Sequence, residues 1–356
     1  MRPISRWLYL RAYRLYSRDM SFDVVALTRK LIDVESITGN EAPVGELLVR
    51  ELSALGYQVS RMPVEEERFN VWATSPGHQR PKVVFSTHMD VVPPWIPSSE
   101  DEKNIYGRGA CDAKGIIAAQ IDAAEKLRTK GIHAGLLFVV GEERDSTGAY
   151  VANSHAPGSK FLINGEPTDN RIGVASKGAL RVNVIAEGKM AHSAYPELGE
   201  SAIEKLLNAL ERLRKMPLPE NPEVGPCTVN IGVIEGGRAP NVIPDQASAQ
   251  LLFRLVGPSE QLRKDIETAI APDAHCEYAL EIPFVKLRTV PDIPTMTAKF
   301  TTDIPRLSNW GEPVLLGPGS IHVAHTPREF LSKQELFEAV ELYVKVAEFF
   351  NAQPGA

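Results

Sequence analysis

The sequence predicts an α/β protein in which a domain built on a mostly parallel sheet is interrupted by an inserted ferredoxin-like β-α-β-β-α-β module. Three observations carry that expectation. Up to residue 165, short apolar β-rich runs alternate with stretches of helical periodicity, which is the pattern of β-α-β units with parallel strands. Between residues 176 and 283 the pattern changes to two successive strand-helix-strand passes. An apolar strand of the first kind then returns at 313–316. The expected division is a basic N-terminal arm over 1–20, a discontinuous first domain over 21–175 and 284–356, and an insertion over 176–283.

In order, helical spacing marks 22–34 and 44–55, with Gly56 as the stop of the second helix. A β-rich run over 82–87 ends in His88. A helix over 115–129 leads into a strand over 135–141, and a shorter helix over 149–154 leads into a strand over 160–163. Within the insertion, strands are expected at 179–187, 227–234, 247–255 and 275–282, with helices at 201–215 and 259–270. The Pro-rich 217–226 joins a helix to a strand inside this module.

The composition is ordinary globular material: 356 residues, 43% hydrophobic and 24% charged, long enough for two domains. A net charge of -6 and a pI near 5.8 offer no attraction to phosphate backbones, so nucleic acid is not an expected partner. Cys111, Cys227 and Cys276 are an odd count without a C-x-x-C pair, which fits a reducing cytoplasm better than a disulfide framework or zinc ribbon. The first twenty residues are basic and aromatic but lack the continuous apolar stretch of a signal peptide or membrane span. They read as a loosely attached arm, with a weak membrane-surface contact or an extension ahead of Met20 as alternatives.

Chemistry-bearing residues collect at or just past strand ends. In open α/β sheets ligands gather at the carboxyl ends of strands, and His88, Glu142, Glu143, Glu166 and His325 all hold such positions. Asp112 lies in the glycine-rich turn 107–115 ahead of a helix, and reads as a carboxylate bridging two metal ions; alone, that stretch reads equally as a solvated loop. Asp90 suits the carboxylate that fixes the tautomer of a ligating His88, or caps the next turn. Glu142 and Glu143 are adjacent acids after an apolar strand, unfavourable without compensating positive charge, and neighbouring side chains there point different ways. One can bind metal while the other acts as general base.

The donor set lacks thiolate and suits zinc, with cobalt or manganese as substitutes. Spacing does not separate His322 from His325, and His78, His133, His155 and His275 read as surface or core residues. His192, in a small-residue loop of the insertion, could donate to a developing oxyanion, and Asn241 and Arg254 could bind a substrate carboxylate. Cys111 reads as a packing residue. No Gly-x-Ser-x-Gly or His-Glu-x-x-His occurs, and the third glycine position after Gly107-x-Gly109 and Gly317-x-Gly319 holds Asp112 and His322, so neither is a dinucleotide loop.

Five ordered anchors, Thr87-His88-Met89-Asp90, Gly107 through Gly115, Glu142-Glu143, Gly165-Glu166-Pro167 and Gly317 through Pro327, resemble the di-zinc deacylase and peptidase superfamily of acetylornithine deacetylase, succinyl-diaminopimelate desuccinylase, aminoacylase and carnosinase. The similarity runs from Met20 onward. It implies a zinc aminopeptidase-like catalytic domain carrying a lid and dimerisation insertion. One zinc would be held by His88, Asp112 and Glu166, the other by Asp112, Glu143 and His325, with Glu142 as the base. It favours His325 over His322, and implies that His192 reaches an active site, in dimeric relatives that of the neighbouring subunit. Asn241 and Arg254 would contact the substrate carboxylate. The implied reaction is hydrolysis of an N-acyl-L-amino acid or dipeptide. Arg328 stands ahead of Glu329 where relatives often have an acid, a departure bearing on specificity.

Overall fold

A computed structural model describes residues 22–353; the basic arm expected over 1–20 lies outside the described residues. Helix α1 (Val24–Ile32) starts at Asp23, whose side chain accepts from the Ala26 N–H, and it buries Val24, Leu27 and Leu31. Helix α2 (Ala42–Ala54) ends before Gly56, whose φ of +86° is the left-handed position that glycine takes without a Cβ penalty. Next come β1 (Gln58–Pro63) and β2 (Phe69–Thr74), an antiparallel pair that the sequence reading passes over. β1 is an edge strand with mostly exposed residues, so it offers no apolar run to read.

The central β-α-β unit follows as β3 (Val83–His88), α3 (Gly115–Thr129) and β4 (Gly135–Val139). Helix α4 (Thr147–Asn153) leads to β5 (Phe161–Asn164). The insertion holds β6 (Gly178–Glu187), α5 (Ala202–Lys215), β7 (Thr228–Gly236), β8 (Gln246–Leu255), α6 (Glu260–Ile270) and β9 (His275–Ile282). The chain then returns through β10 (Glu312–Leu315) and closes with α7 (Lys333–Ala352). Although unlisted among the sequence expectations, α7 has a readable start: Ser332 caps it by accepting from the Glu335 N–H, the Ser-x-x-Glu pattern of a capping box.

The larger sheet has six strands in the order β1-β2-β4-β3-β5-β10. The pairs β4–β3, β3–β5 and β5–β10 are parallel, so the carboxyl ends of these strands share one edge. Helix α3 is buried along nearly its whole length between the sheet and its neighbours α1 and α7. Against it Phe85 meets Tyr343 edge to face at 5.4 Å, and the Tyr343 hydroxyl donates to the Leu316 carbonyl at 2.6 Å.

The insertion is a four-stranded antiparallel sheet in the order β7-β8-β6-β9, which is the ferredoxin-like arrangement. One face, with Leu180, Val182, Leu251 and Phe253, packs on α5 and α6 as a core separate from that of the larger sheet. The opposite face carries Arg181, Leu252, Arg254 and Leu280. A small sheet at the junction pairs Ile172–Ser176 with Val285–Lys286 and Thr295–Ala298.

One buried ion pair underpins the turn after β4. Arg68 grips Glu41 through two bonds of 2.8 Å, and both side chains are buried. The pair lies under Gly141, where a Cβ would come within 3.0 Å of the Arg68 guanidinium. Removing one partner of such a pair leaves an uncompensated buried charge. Glu41→Ala is therefore expected to destabilise the fold by roughly 3 kcal/mol in urea denaturation. A loss below about 0.5 kcal/mol would show that Glu65, bonded to the same guanidinium at 2.8 Å, suffices alone.

Candidate active site

Each site residue is carried to one edge of the sheet by a strand or by the turn beyond it. His88 is the last residue of β3, Glu142 and Glu143 follow the Gly141 turn beyond β4, and Glu166 follows β5. Asp112 sits where the Gly107–Gly115 turn enters α3; Gly109, at φ +89°, packs so closely that an added Cβ would meet Lys114 and Val91 at 2.9 Å. His325 lies in the loop beyond β10 with φ +62°, a left-handed conformation that costs a non-glycine residue on the order of 1 kcal/mol.

The separations are short. His88 Nε2 lies 3.0 Å from Asp112 Oδ1, and His325 Nε2 lies 3.3 Å from Asp112 Oδ2 and 3.0 Å from Glu143. Asp112 thus faces one imidazole with each oxygen. Donor atoms of His88, Asp112 and Glu143 fall within 4.8 Å of one another. Glu166 is buried and its Oε1 has no hydrogen-bond partner among the described residues.

Asp90 organises this group from behind. Its carboxylate accepts from the backbone N–H groups of Glu142 and Glu143 at 3.1 Å each and from the Thr38 hydroxyl at 2.9 Å. His88 Nδ1 lies 3.0 Å from the Asp90 carbonyl, which leaves Nε2 toward Asp112. Glu329 does the same for the Asp112 turn: it accepts from the N–H groups of Gly109 (2.9 Å), Cys111 (3.2 Å) and Asp112 (3.2 Å) and pairs with buried Arg108 at 2.7 Å.

Charge is out of balance without a cation. Burial, then repulsion from Glu166, pushes the Glu142 carboxyl well above the usual range, and burial does the same to Glu166. Burial also raises Glu143 against the opposing bond from His325. Asp112 goes the other way: burial would raise it, but His325 and His88 more than reverse that. His88 is raised because its bonds to Asp112 and Asp90 outweigh burial, and bonds to Asp112 and Glu143 push His325 up to about 10. Nitrogen and carboxylate donors around an orphaned buried oxygen, with protons taking up the charge, fit a site for divalent cations.

A cleft of about 320 Å³ opens between the sheet edge and the insertion, lined by Asp112, Glu142, Glu143, Glu166, His325 and Arg254 among others. His88 joins through Asp112. His322 is exposed and does not line this cleft, and Cys111 is a buried thiol pushed upward by burial. His192 and Asn241 are placed elsewhere. Strand Ala191–His192 pairs with Val242–Ile243, His192 is exposed, and neither residue lines the cleft of its own chain. Sequence reasoning left out Arg181 and Arg306, which do line it, and Asp303, whose carboxyl burial pushes up to about 7. The polar Arg181 in an alternating strand marks an outward position, but nothing local says what that face looks toward.

An ion entering the site must displace the His325 proton. With His325 raised to about 10, metal affinity of the ion-free protein is expected to climb between pH 6 and pH 9, with proton release on binding. Correspondingly, the ion-free stabilisation from charged His325 is complete below the unfolded value of about 6.5 and is lost as pH rises through the folded one. Competition with a chromophoric chelator reads this directly; flat affinity across that window would contradict the assignment.

Similarity to known proteins agrees with this geometry. Residues 174–275 match the peptidase dimerisation domain family. A peptidase M20 domain-containing protein of Schizosaccharomyces pombe is 38% identical over 339 residues, spanning 92% of this chain and 84% of that protein. A probable carboxypeptidase of Paracoccidioides brasiliensis is 36% identical over 374 residues, spanning 91% of this chain and 85% of that protein. Among solved structures, a tripeptidase from Staphylococcus aureus superposes with a TM-score of 0.78 at 21% identity, covering 93% of this chain and 98% of that one. Shared sequence over nearly the whole length, on a shared fold, shows that this chain belongs to the M20 peptidase family and is a hydrolase of the metallopeptidase class.

Proposed function

We propose that the protein hydrolyses the amide bond of an N-acyl-L-amino acid or of a short peptide with a free carboxyl terminus. The observation that carries this is Glu142: it lines the cleft beside the donor cluster, is bonded to neither imidazole, and has a carboxyl that burial makes ready to hold a proton. In this reading His88, Asp112 and Glu166 hold one zinc ion, and Asp112, Glu143 and His325 the other, with cobalt or manganese able to substitute. Bound there, the ions supply Lewis-acid polarisation of the carbonyl and an acidified water.

The side chains do the rest. Glu142 takes the proton of the attacking water and passes it to the departing amine. Asp90 keeps His88 in the ligating tautomer and anchors the backbone of both glutamates. Arg254 takes the carboxylate of the substrate by a two-pronged contact. In a homodimer joined through the insertion, the partner subunit's His192 and the partner subunit's Asn241 would complete the cleft, which accounts for their distance from the cleft of their own chain.

The deacylase and dipeptidase readings share this machinery. The names of the relatives favour peptide substrates, and the anchors in this sequence resemble deacylases equally well. A silent binding protein is disfavoured, since nothing in binding alone requires both a full donor set and Glu142. No helix among the described residues is long and apolar enough to cross a membrane, and the cysteines are unpaired. We infer a cytoplasmic enzyme of amino-acid metabolism.

Glu142→Ala is expected to lower turnover by at least about 100-fold while bound metal stays unchanged. Amine release from N-acetyl and N-succinyl amino acids and from dipeptides, alongside elemental analysis, checks both halves. Loss of metal together with activity would make Glu142 a ligand, and uniform inactivity of the metal-loaded wild type would remove the enzyme reading.

A further inference from the structure

The face of the inserted sheet that α5 and α6 leave uncovered forms one wall of the cleft. Ala179 and Arg181 on β6, Leu252 and Arg254 on β8, and Leu280 on β9 all line it. The register explains why. Arg181 stands opposite Leu252 and Leu280, and Arg254 opposite Ala179, so the two arginines are diagonal neighbours on one face. Backbones at such positions are about 7–8 Å apart, a span that two arginine side chains easily close. Arg306, in the turn Ile304–Arg306 of the larger domain, lines the same cleft.

Among the described residues, these three arginines differ from the ion-paired ones. Arg68 is neutralised by Glu41, Arg108 by Glu329 and Arg263 by Glu281, whereas no acid pairs with Arg181, Arg254 or Arg306 among the described residues. Arg144 also lines the cleft but sits 3.3 Å from Asp145. The acids on the cleft floor are engaged with imidazoles or set apart from the arginines, and Leu252 and Leu280 keep the wall apolar between the cations. Burial lowers the pKa of Arg254 with nothing opposing it. Three guanidinium groups without acid partners around one apolar wall suit an anion, and one carboxylate satisfies one guanidinium fork.

We propose that the cleft selects substrates whose carboxyl-side residue is itself acidic, an N-acyl or peptidyl glutamate or aspartate. Arg254 takes the α-carboxylate, and Arg181 with Arg306 takes the side-chain carboxylate. This rests on the hydrolytic reading of the cleft and narrows it from amino acids in general to dicarboxylic ones. Sequence alone did not suggest it, because Arg306 and Arg181 are 125 positions apart.

The test compares N-acetyl-L-glutamate with N-acetyl-L-glutamine, which have nearly the same shape and differ in one charge. Calorimetric binding to the zinc-loaded Glu142→Ala protein avoids consuming either ligand. The acid should bind at least about tenfold more tightly, a difference of about 1.4 kcal/mol. The gap should shrink in high salt. The double variant Arg181→Gln, Arg306→Gln should abolish the preference by weakening the acid far more than the amide, with circular dichroism reporting that it folds; Arg254→Gln should weaken both ligands. Equal binding, no binding of either, or a preference that survives the double variant overturns the proposal. Failure of the hydrolytic reading looks different: the wild type would release no amino acid from either compound while the binding difference remained.

Discussion

Asp112, Glu142, Glu143 and Glu166 crowd into one partly dehydrated cleft, where His88 and His325 are the positive groups in contact with Asp112 and Glu143 among the described residues, and like charges so placed resist ionisation. Burial pushes up the carboxyls of Glu142, Glu143 and Glu166, and bonds to Asp112 and its neighbours raise both imidazoles. Divalent ions would relieve the remaining repulsion by neutralising the carboxylates. The buried, unpartnered oxygen of Glu166 is the clearest sign of an arrangement completed by a cation.

Holding such a cluster requires rigid supports that are themselves satisfied. The parallel strands bring His88, Glu143 and Glu166 to a common edge, Asp90 binds the backbone of both glutamates, and Glu329 gathers three backbone N–H groups around the Asp112 turn. Burial raises the Glu329 carboxyl, and its bond to buried Arg108 opposes that rise. The insertion then closes the cleft from the other side with a wall of opposite sign. An acidic floor thus faces an arginine-bearing wall across the cleft.

Much of this was readable from the chain. Strand ends and the glycine turn marked His88, Asp112, Glu142, Glu143 and Glu166 as candidates, the family resemblance was needed to choose Glu143 over Glu142 and His325 over His322 as ligands, and the change of pattern at 176 announced the ferredoxin-like module. What escaped has physical reasons. β1 is a half-polar edge strand with no apolar run, and β2 takes its meaning from pairing with β1 and β4. The Arg108–Glu329 pair spans 221 positions and has no local signature. Arg181 shows its outward phase in the sequence, but the surface it looks toward is set by how the insertion docks. His192 was legible only as a histidine in a small-residue loop and Asn241 only as a carboxylate binder, and their place away from the cleft of their own chain follows from the small sheet that joins them.

In the proposed site, Asp112 would help to hold both metal ions. Elemental analysis after exhaustive dialysis of zinc-loaded Asp112→Ala and His88→Ala proteins tests it most directly, with circular dichroism to confirm that both are folded. The account predicts that the Asp112 variant retains neither ion and the His88 variant retains one. A folded Asp112→Ala protein that still holds one or both zinc ions tightly would contradict it.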